Sequence, residues 1–74
     1  MKNVNVNKLK AKLVERGISV SELAEMIGIN KSTLYRKLNA NGDSLLVSEA
    51  NAIVKVLHLT PGEAMAIFFS QVVA

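Results

Sequence analysis

The chain has 74 residues, half of them hydrophobic, with a net charge of +3 and no cysteine. That length holds one small domain and leaves no room for a separate sensor or catalytic unit, and the missing cysteine excludes disulfides and thiolate metal sites. The opening MKNVNVNKLK is polar, unlike a secretory signal peptide, and no apolar run approaches the ~20 residues needed to cross a bilayer. The charge is unevenly spread. Through Gly42 the chain carries Lys2, Lys8, Lys10, Lys12, Arg16, Lys31, Arg36 and Lys37 against Glu15, Glu22 and Glu25, a net of +5. From Asp43 onward Asp43, Glu49 and Glu63 outnumber Lys55, a net of −2. A basic half on a small domain points to a polyanionic partner, the ordinary alternative being a solvated lysine face.

Residues 1–5 read as a loose or disordered terminus. Asn5 or Asn7 caps a first helix whose buried stripe is Val6, Leu9, Leu13 and Val14, with Lys8, Lys10, Lys12, Glu15 and Arg16 off it. Gly17 stops that helix and Ile18 packs back after it. Ser19 and Glu22 form a capping box for a second helix, in which Leu23, Ala24 and Ile27 recur at spacings of three and four. Gly28 ends it, Ile29 anchors the turn, and Asn30 caps a third helix from Lys31 to about Leu38. Two short helices joined by a glycine-containing break, over about 19–39, make a helix-turn-helix.

Asn39 to Ser44, NANGDS, is a loop, and without alternating apolar flanks it connects helices rather than strands. Leu45 and Leu46 are expected to re-enter the core. A fourth helix runs from Val47 or Ser48 to Leu57, burying Ala50, Ile53, Val54 and Leu57. His58 lacks the partners that metal or acid–base work needs and reads as an ordinary helix-terminal residue. Thr60-Pro61-Gly62-Glu63 combines a cap, proline at the first helical position and a closing glutamate. The fifth helix then runs from Pro61 to about Ser70, and Gln71–Ala74 continue or fray. Its Ala64, Met65, Ile67, Phe68 and Phe69 are too many for one narrow stripe, so part of it is expected to face a partner. Five helices without a strand pattern predict an all-α fold in a single domain over residues 1–74. The absence of a trailing linker favours a complete protein.

On a helical wheel of the third helix, Leu34 and Leu38 share the inner face, while Ser32 and Arg36 point away. Thr33 and Lys37 lie on one flank, Lys31 and Tyr35 on the other. Cations and hydroxyls together suit the major groove. Arginine can bond both acceptors of a guanine edge, serine or threonine can bond a base or phosphate, and lysines at helix ends suit phosphates. A merely solvated surface is the bland alternative, but the helix-turn-helix holds this helix out for docking.

Residues from about Leu9 to Leu57 resemble the phage repressor and Cro family of helix-turn-helix domains, in its short bacteriophage form. The resemblance rests on Gly17-Ile18-Ser19, Glu22-Leu23-Ala24, Gly28-Ile29-Asn30, Ser32 through Leu38, and Glu49-Ala50 with Ile53. Glu63-Ala64 to Ile67-Phe68-Phe69 is similar to the closing segment of small phage regulators. The resemblance implies a compact five-helix, lambda-repressor-like domain acting in the cytoplasm of a bacterial host, at the nucleoid. It places Lys31, Ser32 and Arg36 at base-reading positions, and Ser19 and Ser21 where the second helix meets the DNA backbone. Val20 stands where many relatives carry glutamine, and valine cannot hydrogen-bond a phosphate. Asn30, Thr33, Lys37, Asn39 and Asn41 complete the phosphate or flanking set, to which Lys10 or Lys12 can be added. Tyr35 either stacks beside the sugar–phosphate chain or braces the helix.

The function expected is a sequence-specific transcriptional regulator that occupies a double-stranded DNA operator, with no cofactor or metal. Few base contacts per domain predict a homodimer, at least on DNA, through Met65, Phe68, Phe69, Val72 and Val73 of the last helix. These residues can equally close a small core. The alternative is a protein-binding modulator, an antirepressor, corepressor or antitoxin-like partner, docking through that helix, in which case another phage regulator is the partner. Membrane attachment is disfavoured because the cations and the most apolar helix are far apart in sequence. Catalysis has no candidates: His58 has no cysteine to activate and no acid at triad spacing, and Gly28 and Gly62 are isolated.

Overall fold

The structure is a computed structural model, in which residues 1–69 are described. Among the described residues five helices follow one another: α1 Val6–Arg16, α2 Val20–Ile27, α3 Lys31–Asn39, α4 Val47–Val56 and α5 Pro61–Phe68. Their starts are set by side chains that satisfy otherwise unpaired backbone N–H groups. Asn5, rather than Asn7, accepts from the Lys8 N–H at 3.0 Å. The boxes Ser19–Glu22 and Thr60–Glu63 are reciprocal, with all four hydrogen bonds between 2.9 and 3.2 Å. α4 begins with half a box. Leu46 offers no acceptor, but its N–H donates to Glu49 Oε1 at 2.8 Å.

The core is built from Leu9 and Leu13 of α1, Leu23 and Ala24 of α2, Leu34 and Leu38 of α3, Ala50 and Ile53 of α4, and Ile67 and Phe68 of α5. Leu45, Leu57 and Leu59 fill it from the connections. α2 packs against both α3 and α4, and α1 packs against α5. Burying each leucine or phenylalanine contributes about 1.5–3 kcal/mol.

Several expectations are corrected. Val14 is 81% exposed, because it lies about 100° round from Leu13 on the side of α1 away from Lys12, which faces Glu63 of α5. Leu46 is 56% exposed while Leu45 is buried. Leu46 is in extended conformation, where successive side chains point to opposite sides. α5 ends at Phe68, with Phe69 leaving the helical region at φ −133°. Phe68 is 1% exposed and belongs to the core, not to a dimer face. The expected helical continuation at Ser70–Ala74, with Val72 and Val73, lies outside the described residues.

The first five residues are packed rather than loose. Val4 is buried, and the Asn5 N–H donates to the Ile67 carbonyl at 2.6 Å. The Met1 amine donates to the carbonyls of Gly42, Asp43 and Leu45 at 3.3, 2.8 and 2.6 Å. Gly42 makes this possible: its φ is +74°, and a Cβ there would stand 2.9 Å from Val4 Cβ. His58 also adopts a left-handed conformation, at φ 52°, as the Leu59 N–H turns back to the Val54 carbonyl at 3.0 Å. A side chain in that conformation is strained, where glycine is not.

α1 and α5 are joined by charge as well as by packing. Lys12 donates to Glu63 and, at 3.2 Å, to Glu15. The Lys12 hydrogen bond, followed by the Thr60 N–H, holds the Glu63 carboxyl down at about 2 against partial burial. Hydrogen bonds to Glu63 and then Glu15 push the Lys12 amine up from its ordinary value.

In urea denaturation, Gly42→Ala is expected to cost about 1–3 kcal/mol, while His58→Gly gains about 0.5–1 kcal/mol. Equal midpoints for the two variants would contradict the backbone assignment. A carboxyl lowered in the folded state stabilises the fold above its unfolded value, so the Glu63 contribution is complete above pH 4.5 and lost as pH falls toward 2. The raised Lys12 amine acts at the other end: its contribution is present below 10.5 and lost as pH rises beyond that. Glu63→Gln is expected to flatten the acid limb of urea midpoint against pH, and an unchanged limb would refute the pairing.

Candidate nucleic-acid interface

The turn between α2 and α3 is three residues long. Gly28 takes the left-handed conformation at φ 79°, and the Ile29 N–H returns to the Ala24 carbonyl at 2.9 Å. Ile29 packs against the core, and Asn30 accepts the Ser32 N–H at 2.8 Å to start α3. Leu34 and Leu38, both buried, then fix which face of α3 turns inward.

The outward face carries Lys31, Ser32, Tyr35, Arg36 and Asn39, all exposed. Steps of three and four from Ser32 through Tyr35 and Arg36 to Asn39 keep them on one side of the helix. The side chains of Lys31, Ser32 and Arg36 have no hydrogen-bond or ion-pair partner among the described residues, leaving their donors available. Thr33 is half-buried on the flank. Asn41, in the loop beyond α3, is exposed and left-handed at φ 61°.

At the start of α2, Ser19 is exposed and accepts the Glu22 N–H at 3.0 Å, which leaves its hydroxyl proton free to donate. Ser21 is half-buried. Val20 packs against the core, so the residue that departs from the family pattern serves packing. Asn30 spends its carbonyl oxygen on the cap and keeps its amide N–H groups.

Lys37 does not stand free. Its amine lies 2.7 and 2.9 Å from the two carboxylate oxygens of Glu49. Burial pushes the Glu49 carboxyl up, but the Lys37 hydrogen bond and the Leu46 N–H outweigh it and hold the group below its ordinary value. Lys12 is engaged in the same way, by Glu63 and Glu15. The Arg16 Nε donates to the Leu57 carbonyl at 3.1 Å, at the C-terminal end of α4. Glu63 is legible in the sequence as a capping residue and Glu49 is not, and spacing alone does not reveal which lysine uses the acceptor capacity either carboxylate has to spare. These pairings concentrate the exposed, unpaired cations of the helix-turn-helix on Lys31 and Arg36.

The surface expected to pair with a partner is only partly present as such. Met65 and Phe69 are exposed, Phe68 is buried, and Val72 lies outside the described residues. Leu46 and Val47, at the start of α4, add exposed apolar surface. Among the described residues no helix is long and apolar enough to cross a membrane.

The model of the Cro/C1-type HTH DNA-binding domain matches residues 8–69, from the first turn of α1 to the residue after α5. No curated protein and no solved structure matches the chain significantly. The helix-turn-helix lies inside the matched span, as does the exposed face of α3. The chain belongs to the Cro/C1-type helix-turn-helix DNA-binding domain family.

Proposed function

We propose that this DNA-binding domain is a sequence-specific transcriptional regulator of the phage or prophage repressor and Cro kind, with α3 as its major-groove reader. The observation that carries this reading is the outer face of α3, where Lys31, Ser32 and Arg36 keep their donors while Lys12 and Lys37 are engaged by carboxylates. Arg36 bonds a guanine edge in two places, Ser32 bonds a base or a phosphate, and Lys31 reaches a base from the start of the helix. Ser19, Ser21, Asn30, Thr33, Asn39 and Asn41 set the register through phosphates, and Tyr35 flanks them. The regulator acts by occupancy in the bacterial cytoplasm. Two copies bind an operator with inverted half-sites, using Met65 and Phe69 with the segment that contains Val72.

The same exposed Met65 and Phe69 favour the second reading, a modulator that docks this end of α5 on another regulator. Selection of the purified protein against a random double-stranded DNA pool separates the two. The expected result is an enriched motif of two inverted half-sites about one helical turn apart. Arg36→Ala is expected to lower affinity for that motif by about 1–3 kcal/mol and to relax preference at one base pair. No enrichment, with only weak salt-sensitive binding, would move the assignment to the protein-binding modulator.

A further inference from the structure

We infer that the Lys37–Glu49 pair is a positioning element for α3, setting the roll of the reading helix and hence the sequence preference of the domain; this rests on α3 being the DNA-reading helix. Lys37 and Glu49 side chains are only 16% and 12% exposed, so the pair is largely withdrawn from water. Glu49 Oε1 receives both the Lys37 amine at 2.7 Å and the Leu46 N–H at 2.8 Å. The carbonyl of Lys37 accepts the Gly42 N–H at 2.9 Å. One lysine and one carboxylate thus tie the last turn of α3, the loop after it and the first turn of α4 together.

The need for such a tie follows from the geometry of α3. Its two buried anchors, Leu34 and Leu38, lie four residues apart, about 40° from one another around the axis and so nearly on one line. Two anchors on a line hold a helix down but resist rotation about that line weakly. Lys37 stands about 100° from Leu38, a third attachment off the line, while Arg36 points to the opposite side. A roll of about 10° moves a side-chain tip some 5 Å from the axis by about 1 Å. Hydrogen bonds to a base edge tolerate only about 2.7–3.2 Å between heavy atoms. Phosphate contacts through long flexible side chains are far less sensitive. Loss of the pair therefore falls on specificity rather than on general attraction to DNA.

The alternative role for Lys37, a direct phosphate contact, makes opposite predictions. The measurement is binding of the wild type, Lys37→Met and Glu49→Gln to the selected operator and to a scrambled duplex of equal length, across a salt series. Each protein is studied below its own melting temperature, determined by circular dichroism. Glu49→Gln keeps one acceptor oxygen for the Leu46 N–H while removing the charge and turning the other oxygen into a donor, so it remains informative if Lys37→Met fails to fold. Positioning predicts that both variants lower the operator-to-scrambled affinity ratio by about five- to thirtyfold, with the salt slope on the scrambled duplex unchanged. A phosphate contact predicts that Lys37→Met weakens both duplexes alike and shallows the slope by about one. It also predicts that Glu49→Gln, by freeing the lysine, tightens both. That pattern, or an unchanged ratio in a wild-type background that prefers its operator, would overturn the inference while leaving α3 as the reader. A wild type with no preference for any sequence would overturn the reading itself, and the inference with it.

Discussion

None of the five helices is long enough to hold itself in water. They run from eight to eleven residues, where isolated helices are marginal even in favourable sequences. Each must therefore be stabilised twice, at its ends by caps and along one side by burial. The caps of α1, α2, α3 and α5 use side chains placed within three residues of the groups they satisfy. α4 borrows its cap from Glu49 alone. With the ends satisfied, one or two leucines or isoleucines per helix suffice to choose the inner face, and the outer face of α3 is free to carry recognition chemistry.

Charge in this protein is organised across the fold rather than along the chain. The basic N-terminal half and the acidic C-terminal half meet in two pairs, Lys12 with Glu63 and Lys37 with Glu49. Each acid also sits in the first turn of its own helix and accepts the N–H of the residue that caps it, so each pair joins a cap to a neighbouring helix. The cations that remain unpaired on the helix-turn-helix are Lys31 and Arg36, on the outer face of α3.

Most of the fold was legible because its determinants are local. Ser19 with Glu22, Gly28, Asn30 and Thr60 with Glu63 announce helix ends within three or four residues, and the leucine spacings announce the inner faces. What escaped depends on neighbours that spacing cannot reveal. Val14 has the period of a buried residue but no element over it, and Leu46 follows a buried leucine into an extended cap where its side chain turns outward. Phe68 and Phe69 look equivalent in a run of apolar residues, yet one is enclosed and the other is not. At the candidate interface, the outward face of α3 was legible from the wheel, whereas the engagement of Lys37 by a glutamate twelve positions later was not.

The opening residues close the molecule on itself. Val4 sits against Gly42, and the Asn5 N–H meets the Ile67 carbonyl. These contacts join stretches that are remote along the chain, and the entropy of closing such loops is recovered only once both sides are in place. The N-terminal segment is thereby held on two sides at once, by the loop after α3 and by the end of α5. A stretch that forms no helix thus couples the loop after α3 to α5.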